Sequence, residues 1–254
     1  IGNVVGRYEG EQSSMPCLML GSHYDTVRNA GKWDGPLGVV TAITCVGELN
    51  RQRRRFPFAI EVIGFADEEG VRFNSTLLGS RAIAGTFDEH VLDALDRSGV
   101  TMRQALAAFG LDADKIRTAA HRRDDMLGYI ELHIEQGPVL EALDLPVGLV
   151  STISGATRLS IVFEGMAGHA GTVPMDRRRD ALTGAAECIL AVEAYCRSYE
   201  GLVGTVGQAI VAPGATNVIP GKVTFTLDVR SGSDEQRRRA VDELTRKIEA
   251  VAAA

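Results

Sequence analysis

The chain has 254 residues, 45% of them hydrophobic, which is enough for one large domain or two ordinary ones with cores of their own. A formal net charge of −6 argues against the concentrated positive surface that nucleic acid requires, and the one basic run, Arg51 to Arg55, reads as a solvated loop. No stretch approaches the ~20 apolar residues that span a bilayer and no charged-then-apolar leader is visible, so a cytoplasmic protein without nucleic-acid or membrane partners is expected.

In chain order, PCLMLGSH reads as a strand, GPLGVVTAITCVGELN as a helix and PFAIEVIGFAD as a second strand; short helical patterns follow, then GYIELHIEQ as a further strand. This alternation predicts an α/β domain over residues 1–153, built on a doubly wound, mostly parallel sheet whose strand ends carry the chemistry. Around Gly155 the character changes. TRLSIVFEG, a helix from Arg178 to Arg197, LVGTVGQAIVA, GKVTFTLDVR and a final helix from Asp234 predict a smaller α+β layer over residues 154–254. The triple Arg177 to Arg179 reads as a helix start on a solvated surface. Cys17, Cys45, Cys188 and Cys196 form no CxxC pair and fit buried, reduced thiols. The chain opens on Ile1, and its last helical pattern has no stop signal, so truncation at the C-terminus, and at the N-terminus too, is expected.

Four segments concentrate metal-compatible side chains. GSHYDTV delivers His23 at a strand end with Asp25 two residues on, placed to fix the tautomer of the imidazole. In GKWDGPLGV, Asp34 sits in a Gly-rich turn before a helix, where one carboxylate can offer an oxygen to each of two metals. GFADEEG ends a strand in Asp67, Glu68 and Glu69. Adjacent carboxylates resist burial, so the run is either solvent-exposed or neutralised by a cation; the apolar strand favours the cation, with one carboxylate binding metal while another takes a proton from water. LHIEQGPVLE ends another apolar strand in His133, Glu135 and Gln136. No one segment is a specific metal signature.

The order GSHYDTV, the Asp34 turn, ADEEGVRF, GSRAIAG, LHIEQGPVLE, GHAGTVPMDRRRDAL and TNVIPGKVTFTLDVR resembles the aminoacylase and carboxypeptidase type of dinuclear-metal amidohydrolase, within it the hydantoinase/carbamoylase branch that includes allantoate amidohydrolase. The resemblance implies His23, Asp34 and His133 as ligands of one divalent metal, Asp34 bridging to a second that Glu69 also binds, and Glu68 as general base. Zinc or manganese, and equally cobalt or nickel, suit such ligands. The family's second metal takes a further His from near the C-terminus, whereas the remaining His90, His121 and His169 lie in other segments. Weak binding of the second metal is therefore expected of this chain, and an inactive, metal-binding, dimerising fragment is one alternative.

Arg suits a bidentate carboxylate clamp. The resemblance assigns Arg230 and Asn217 to the substrate carboxylate, with Arg158 and Gln136 as weaker members of the same pocket. It implies that His169 reaches the active site of a partner subunit and polarises the scissile carbonyl, making the second domain both lid and homodimer interface. The expected activity is hydrolysis of a ureido or carbamoyl C–N bond in a small carboxylate, allantoate first. N-Carbamoyl-L-amino-acid hydrolase, β-ureidopropionase and a metallopeptidase of the same fold are the alternatives.

Overall fold

The computed structural model describes residues 1–253 and divides into two compact units, Ile1–Val147 and Gly148–Ala254. The division falls before the Ile153–Gly155 boundary expected from composition, because the extended residues ahead of the second sheet already lie against it: Thr152 is packed on Gly232.

Unit 1 carries β1 (Val4–Tyr8), β2 (Cys17–His23), α1 (Pro36–Arg51), β3 (Ile60–Phe65), α2 (Leu78–Ile83), α3 (Met102–Ala108), β4 (Met126–Ile130) and α4 (Val139–Ala142). Its sheet runs β1-β3-β2-β4, with β2 parallel to both β3 and β4 and β1 antiparallel to β3. The sheet is thus mostly parallel, as the alternation predicts, with an antiparallel edge strand that the sequence pattern does not announce. Central strands β2 and β3 are apolar almost throughout because both faces are covered; Cys17, Met19, Ala59, Ile63, Phe65 and Ile83 form one core cluster. A second cluster, centred on Leu78, Leu92, Met102 and Leu106, packs the short helices that follow β3.

The strand order decides where chemistry can sit. From β2 the chain crosses through α1 to β3 on one side, then returns to β4 on the other side of β2. That reversal opens a crevice beyond the C-terminal end of β2, the position at which open α/β sheets take their ligands. His23 is the last residue of β2.

Unit 2 carries β5 (Gly155–Glu164), β6 (Gly168–His169), α5 (Ala181–Arg197), β7 (Leu202–Thr205), β8 (Ala209–Ala212), β9 (Val218–Ile219), β10 (Lys222–Ser231) and α6 (Asp234–Ala253). Strand β10 pairs antiparallel with β5 along one edge and with β7 and β8 along the other, while β6 and β9 form a separate two-stranded ladder. Strict alternation in β10 turns Val223, Phe225, Leu227 and Val229 inward, each at most 1% exposed, against residues of α5 and α6. The outward set is polar: Thr224, Thr226, Asp228 and Arg230. Helix α5 starts at Ala181, not at Arg178, because Asp180 caps it by accepting from Leu182 N at 2.9 Å and Thr183 N at 3.4 Å.

Among the described residues no helix is long and apolar enough to cross a membrane. All four cysteines are free; Cys17, Cys188 and Cys196 are buried, but Cys45 is exposed on α1, contrary to the expectation of four buried thiols.

One buried carboxylate ties three parts of unit 1 together. Glu61 on β3 accepts from Arg7 Nη1 of β1 at 2.6 Å and from His121 Nε2, in the segment before β4, at 2.8 Å. Burial alone would push this carboxyl up, yet the hydrogen bonds from His121 and Arg7 outweigh it and hold Glu61 below the ordinary carboxylate range. A depressed folded-state pKa adds stability that is present above the unfolded value, about 4.3, and lost as pH falls through the folded one. Urea unfolding should accordingly show wild type more stable than Glu61→Gln at pH 7, with the difference shrinking steadily below pH ~4. For Asp180→Ala, loss of the cap should lower stability by about 1 kcal/mol in the same assay.

Candidate metal centre

Three side chains converge at the crevice. His23 Nε2 lies 3.2 Å from His133 Nε2, and Asp34 Oδ1 lies 3.2 Å from His133 Nε2 and 3.8 Å from His23 Nε2. Four ligands at about 2.0–2.1 Å around zinc place their donor atoms roughly 3.3 Å apart, so the spacing is that of a coordination sphere.

Tautomer supports the same conclusion. His23 Nδ1 is 2.7 Å from the Asp25 carbonyl and His133 Nδ1 is 2.9 Å from the Ile134 carbonyl. Carbonyls only accept, so each Nδ1 carries a proton, and with both rings neutral each Nε2 turns a bare lone pair toward the other. Two lone pairs and a carboxylate oxygen sharing one space repel unless a cation lies among them, and imidazole and carboxylate donors fit a divalent ion.

The Asp34 turn reaches this point only because Gly35 has no side chain. Gly35 adopts φ +84, and a Cβ there would be driven into the His23 ring and carbonyl. Gly38, in the first turn of α1, likewise lets the helix touch Ser22 and the Leu132 carbonyl. Behind the ligands, Ser22 Oγ donates to Glu131 Oε1 at 2.6 Å and the Tyr129 hydroxyl to Glu131 Oε2 at 2.9 Å, joining the ends of β2 and β4. Burial and the nearby Glu131 push the Tyr129 phenol up, so it remains a donor.

Glu68 and Glu69 form a second possible ligand group, which they share with His23. Burial pushes the Glu68 carboxyl up; His23 opposes this, and the Glu69, Asp25 and Glu131 carboxylates reinforce it. Asp67, at φ 51 in the left-handed region, joins neither ligand group.

Asp25, Asp34 and Gln136 each make contacts that sequence spacing does not announce. The Asp25 carboxylate does not orient the His23 ring. It accepts from Glu68 N at 3.1 Å and Glu69 N at 3.2 Å, setting the turn that carries both acids, while the Asp25 carbonyl fixes the imidazole. Asp34 stands with the two His residues but not with Glu69, and His23 is the residue common to both groups. Gln136, expected in the substrate pocket, donates its amide to both Asp34 oxygens at 2.9 Å, leaving each oxygen a further lone pair. Strand β4 also ends at Ile130, so His133, Glu135 and Gln136 lie in the loop beyond it. There Glu135 accepts from Val139 N and Leu140 N at the start of α4.

In unit 2, His169 and Asn217 lie together: β6 pairs with β9, and Ala170 N donates to the Asn217 carbonyl at 3.0 Å. Arg158 and Arg230 meet elsewhere, on one carboxylate that sequence reasoning missed. Asp228 accepts from Arg230 Nε and Nη2 at 3.0 Å each and from Arg158 Nε at 3.1 Å. Its signal was available, since Asp228 is two residues before Arg230 and therefore on the same face of the strand. The hydrogen bonds from Arg230 hold the Asp228 carboxyl down, outweighing its partial burial, and Arg158 adds to them. Asn217 and Arg230 do not share a pocket within one chain: Asn217 precedes the Lys222 end of β10, and Arg230 is near the Ser231 end. Eight residue steps of ~3.4 Å separate Lys222 from Arg230 by roughly 27 Å.

Of the other histidines, His121 is committed to Glu61, and neither His90 nor His121 joins a ligand group. For Gly35→Ala, isothermal titration should show at least about tenfold weaker binding of the first divalent ion, since the added methyl displaces His23, with a loss of roughly 1–3 kcal/mol in stability.

Residues 19–254 match peptidase family M20/M25/M40. The chain is 42% identical over 274 residues to a probable allantoate deiminase of Oryza sativa subsp. japonica, covering 98% of this chain and 55% of that protein. It is 43% identical over 254 residues to an N-carbamoyl-L-amino-acid amidohydrolase of Pseudomonas sp. (strain NS671), covering 98% and 61%. The crystal structure of a hydantoinase/carbamoylase family amidase from Burkholderia ambifaria superposes with TM-score 0.89 at 33% identity, covering 99% of this chain and 62% of that one. The chain thus spans little more than half the length of the relatives it matches. With the match extending over all but its first residues, the chain belongs to peptidase family M20/M25/M40.

Proposed function

We propose that this chain is the metal-binding part of a hydrolase that cleaves a ureido or carbamoyl C–N bond in a small carboxylate, with allantoate the first substrate and N-carbamoyl-L-amino acids or β-ureidopropionate the alternatives. The observation that carries the proposal is the convergence of the His23 and His133 Nε2 lone pairs with Asp34 at the end of β2. The names of the similar proteins supply the substrate class.

His23, Asp34 and His133 would hold one divalent ion, and Glu69, with Asp34 as bridge, a second. Zinc or manganese is the first choice, with cobalt and nickel compatible. Such ions polarise a carbonyl and make water acidic enough to attack at neutral pH. Glu68 takes the proton of the attacking water and returns it to the leaving nitrogen as the C–N bond breaks, a task suited to a carboxyl raised by burial. His169 donates to the carbonyl oxygen as charge develops there. Arg230 gives the side of its guanidinium to Asp228 and keeps its outer fork for the substrate carboxylate, with Arg158 beside it.

The proposal includes a homodimer formed through unit 2. Its support is the length of β10: a small substrate that met both the His169–Asn217 end and the Arg230 end of one chain would have to bridge roughly 27 Å, whereas two chains can each supply one end. Cytoplasmic residence is part of the same reading and fits four free cysteines. A second reading, one bound ion and no turnover, is favoured by the donor count, since among the described residues no further histidine joins Glu68 and Glu69.

Metal stoichiometry and hydrolysis of allantoate, N-carbamoyl amino acids, β-ureidopropionate and dipeptides, measured with manganese and zinc on this chain and on a version extended at its C-terminus, separate these readings. Turnover of a ureido or carbamoyl compound by either form supports the proposal; cleavage of dipeptides alone overturns it. In the active form Glu68→Ala should cut kcat by about 10²–10⁴-fold with metal content unchanged. Asp228→Asn should raise KM on the order of tenfold with little change in kcat, because it loosens a group that holds the substrate in ground and transition states alike.

A further inference from the structure

Three arginines follow one another at 177–179, and only the middle one is half-buried. Arg178 Nη2 donates to the Ala170 carbonyl at 2.7 Å and Nε to the Val173 carbonyl at 3.1 Å. One planar group therefore pins both ends of the loop that follows His169. Within that loop Gly171 N donates to His169 Nδ1 at 3.0 Å, while Val173 N returns to the His169 carbonyl at 3.2 Å. A backbone N–H can only donate, so His169 Nδ1 is the bare nitrogen and the neutral ring carries its proton on Nε2. The fit is close: a Cβ on Gly171 would stand 3.2 Å from His169 Cε1. The imidazole itself is exposed, so little besides this loop restrains it.

A guanidinium drawn partly out of water with two carbonyls as its partners gives up hydration that its neighbours Arg177 and Arg179 keep. What the exchange secures is the place of one backbone N–H beside one imidazole. We infer that Arg178 is a positioning residue: by holding the Ala170–Val173 loop closed it fixes His169 in the Nε2–H tautomer. The tautomer stands on this geometry alone, and only its effect on turnover rests on the proposed hydrolase reading, in which Nε2–H is the donor to the scissile carbonyl.

Ring-nitrogen NMR of the histidine-labelled chain tests this, with the His169→Asn spectrum identifying the resonances. Wild-type His169, neutral, should show one protonated-type and one bare-type nitrogen. Arg178→Met, which keeps the aliphatic stem and removes the donors, should bring the two toward an averaged position. Arg178→Lys, with one nitrogen in place of a fork, should recover part of the separation. In the hydrolytically active form, kcat for Arg178→Met should fall on the order of 10- to 100-fold with KM nearly unchanged. A wild-type His169 pattern in a folded Arg178→Met chain overturns the inference; if that variant does not fold, a fully wild-type pattern and kcat in Arg178→Lys does so. Full activity in His169→Asn, together with a freed tautomer in Arg178→Met, would instead remove the hydrolase role of His169 and leave the positioning role intact.

Discussion

Two imidazole nitrogens 3.2 Å apart, each turned inward by a backbone carbonyl behind its ring, are the constraint around which unit 1 is organised. The arrangement is unfavourable without a cation, and it persists because several separate elements enforce it. Strand order puts His23 at a crevice, the Ser22–Glu131–Tyr129 network ties the β4 side to it, and two glycines let the Asp34 turn and α1 approach closer than any side chain permits. Such a site is costly to the empty protein and correspondingly favourable to an ion that fills it.

Much of the site was legible because its residues stand at or just beyond the ends of strands, where apolar runs give way abruptly to His, Asp and Glu. That transition is a local signal. What could not be read was the partner of each polar group. Spacing places the Asp25 carboxylate to orient the His23 ring, but that carboxylate serves the amides of Glu68 and Glu69, a contact across 43 and 44 residues of chain. Gln136 was placed near the metal strand, yet its bond to Asp34 depends on a left-handed backbone at φ 56 that no sequence pattern announces for a glutamine. The same holds for the fold. Strands β2, β3 and β10 have strong apolar patterns and were found; β1, a short and mostly exposed edge strand, has no such pattern and was not.

In unit 2 the arginines show how composition misleads at short range. Three consecutive cations suggest one solvated surface, but they sit just ahead of a capped helix, and the middle side chain points back to carbonyls while its neighbours remain in water. Arg158 and Arg230, far apart in sequence, share one carboxylate because antiparallel pairing of β5 with β10 sets Arg158 directly across from Asp228. Charge by itself distinguishes none of these roles; the register of a ladder and the position of a cap do.

Strand β10 has a further property that follows from its length. It has the β6–β9 ladder, with His169 and the neighbouring Asn217, beyond one end and the Arg158–Asp228–Arg230 cluster near the other, and its regular pairing with β5 over all ten residues leaves no bulge to absorb error. The strand is therefore a gauge. Removing or adding two residues would preserve which side chains face inward, and so preserve the core, yet would change the separation of the two polar ends by about 7 Å. Side chains at either end can be exchanged without moving the other, but the distance between the ends is held by the backbone and can change only in whole-residue steps.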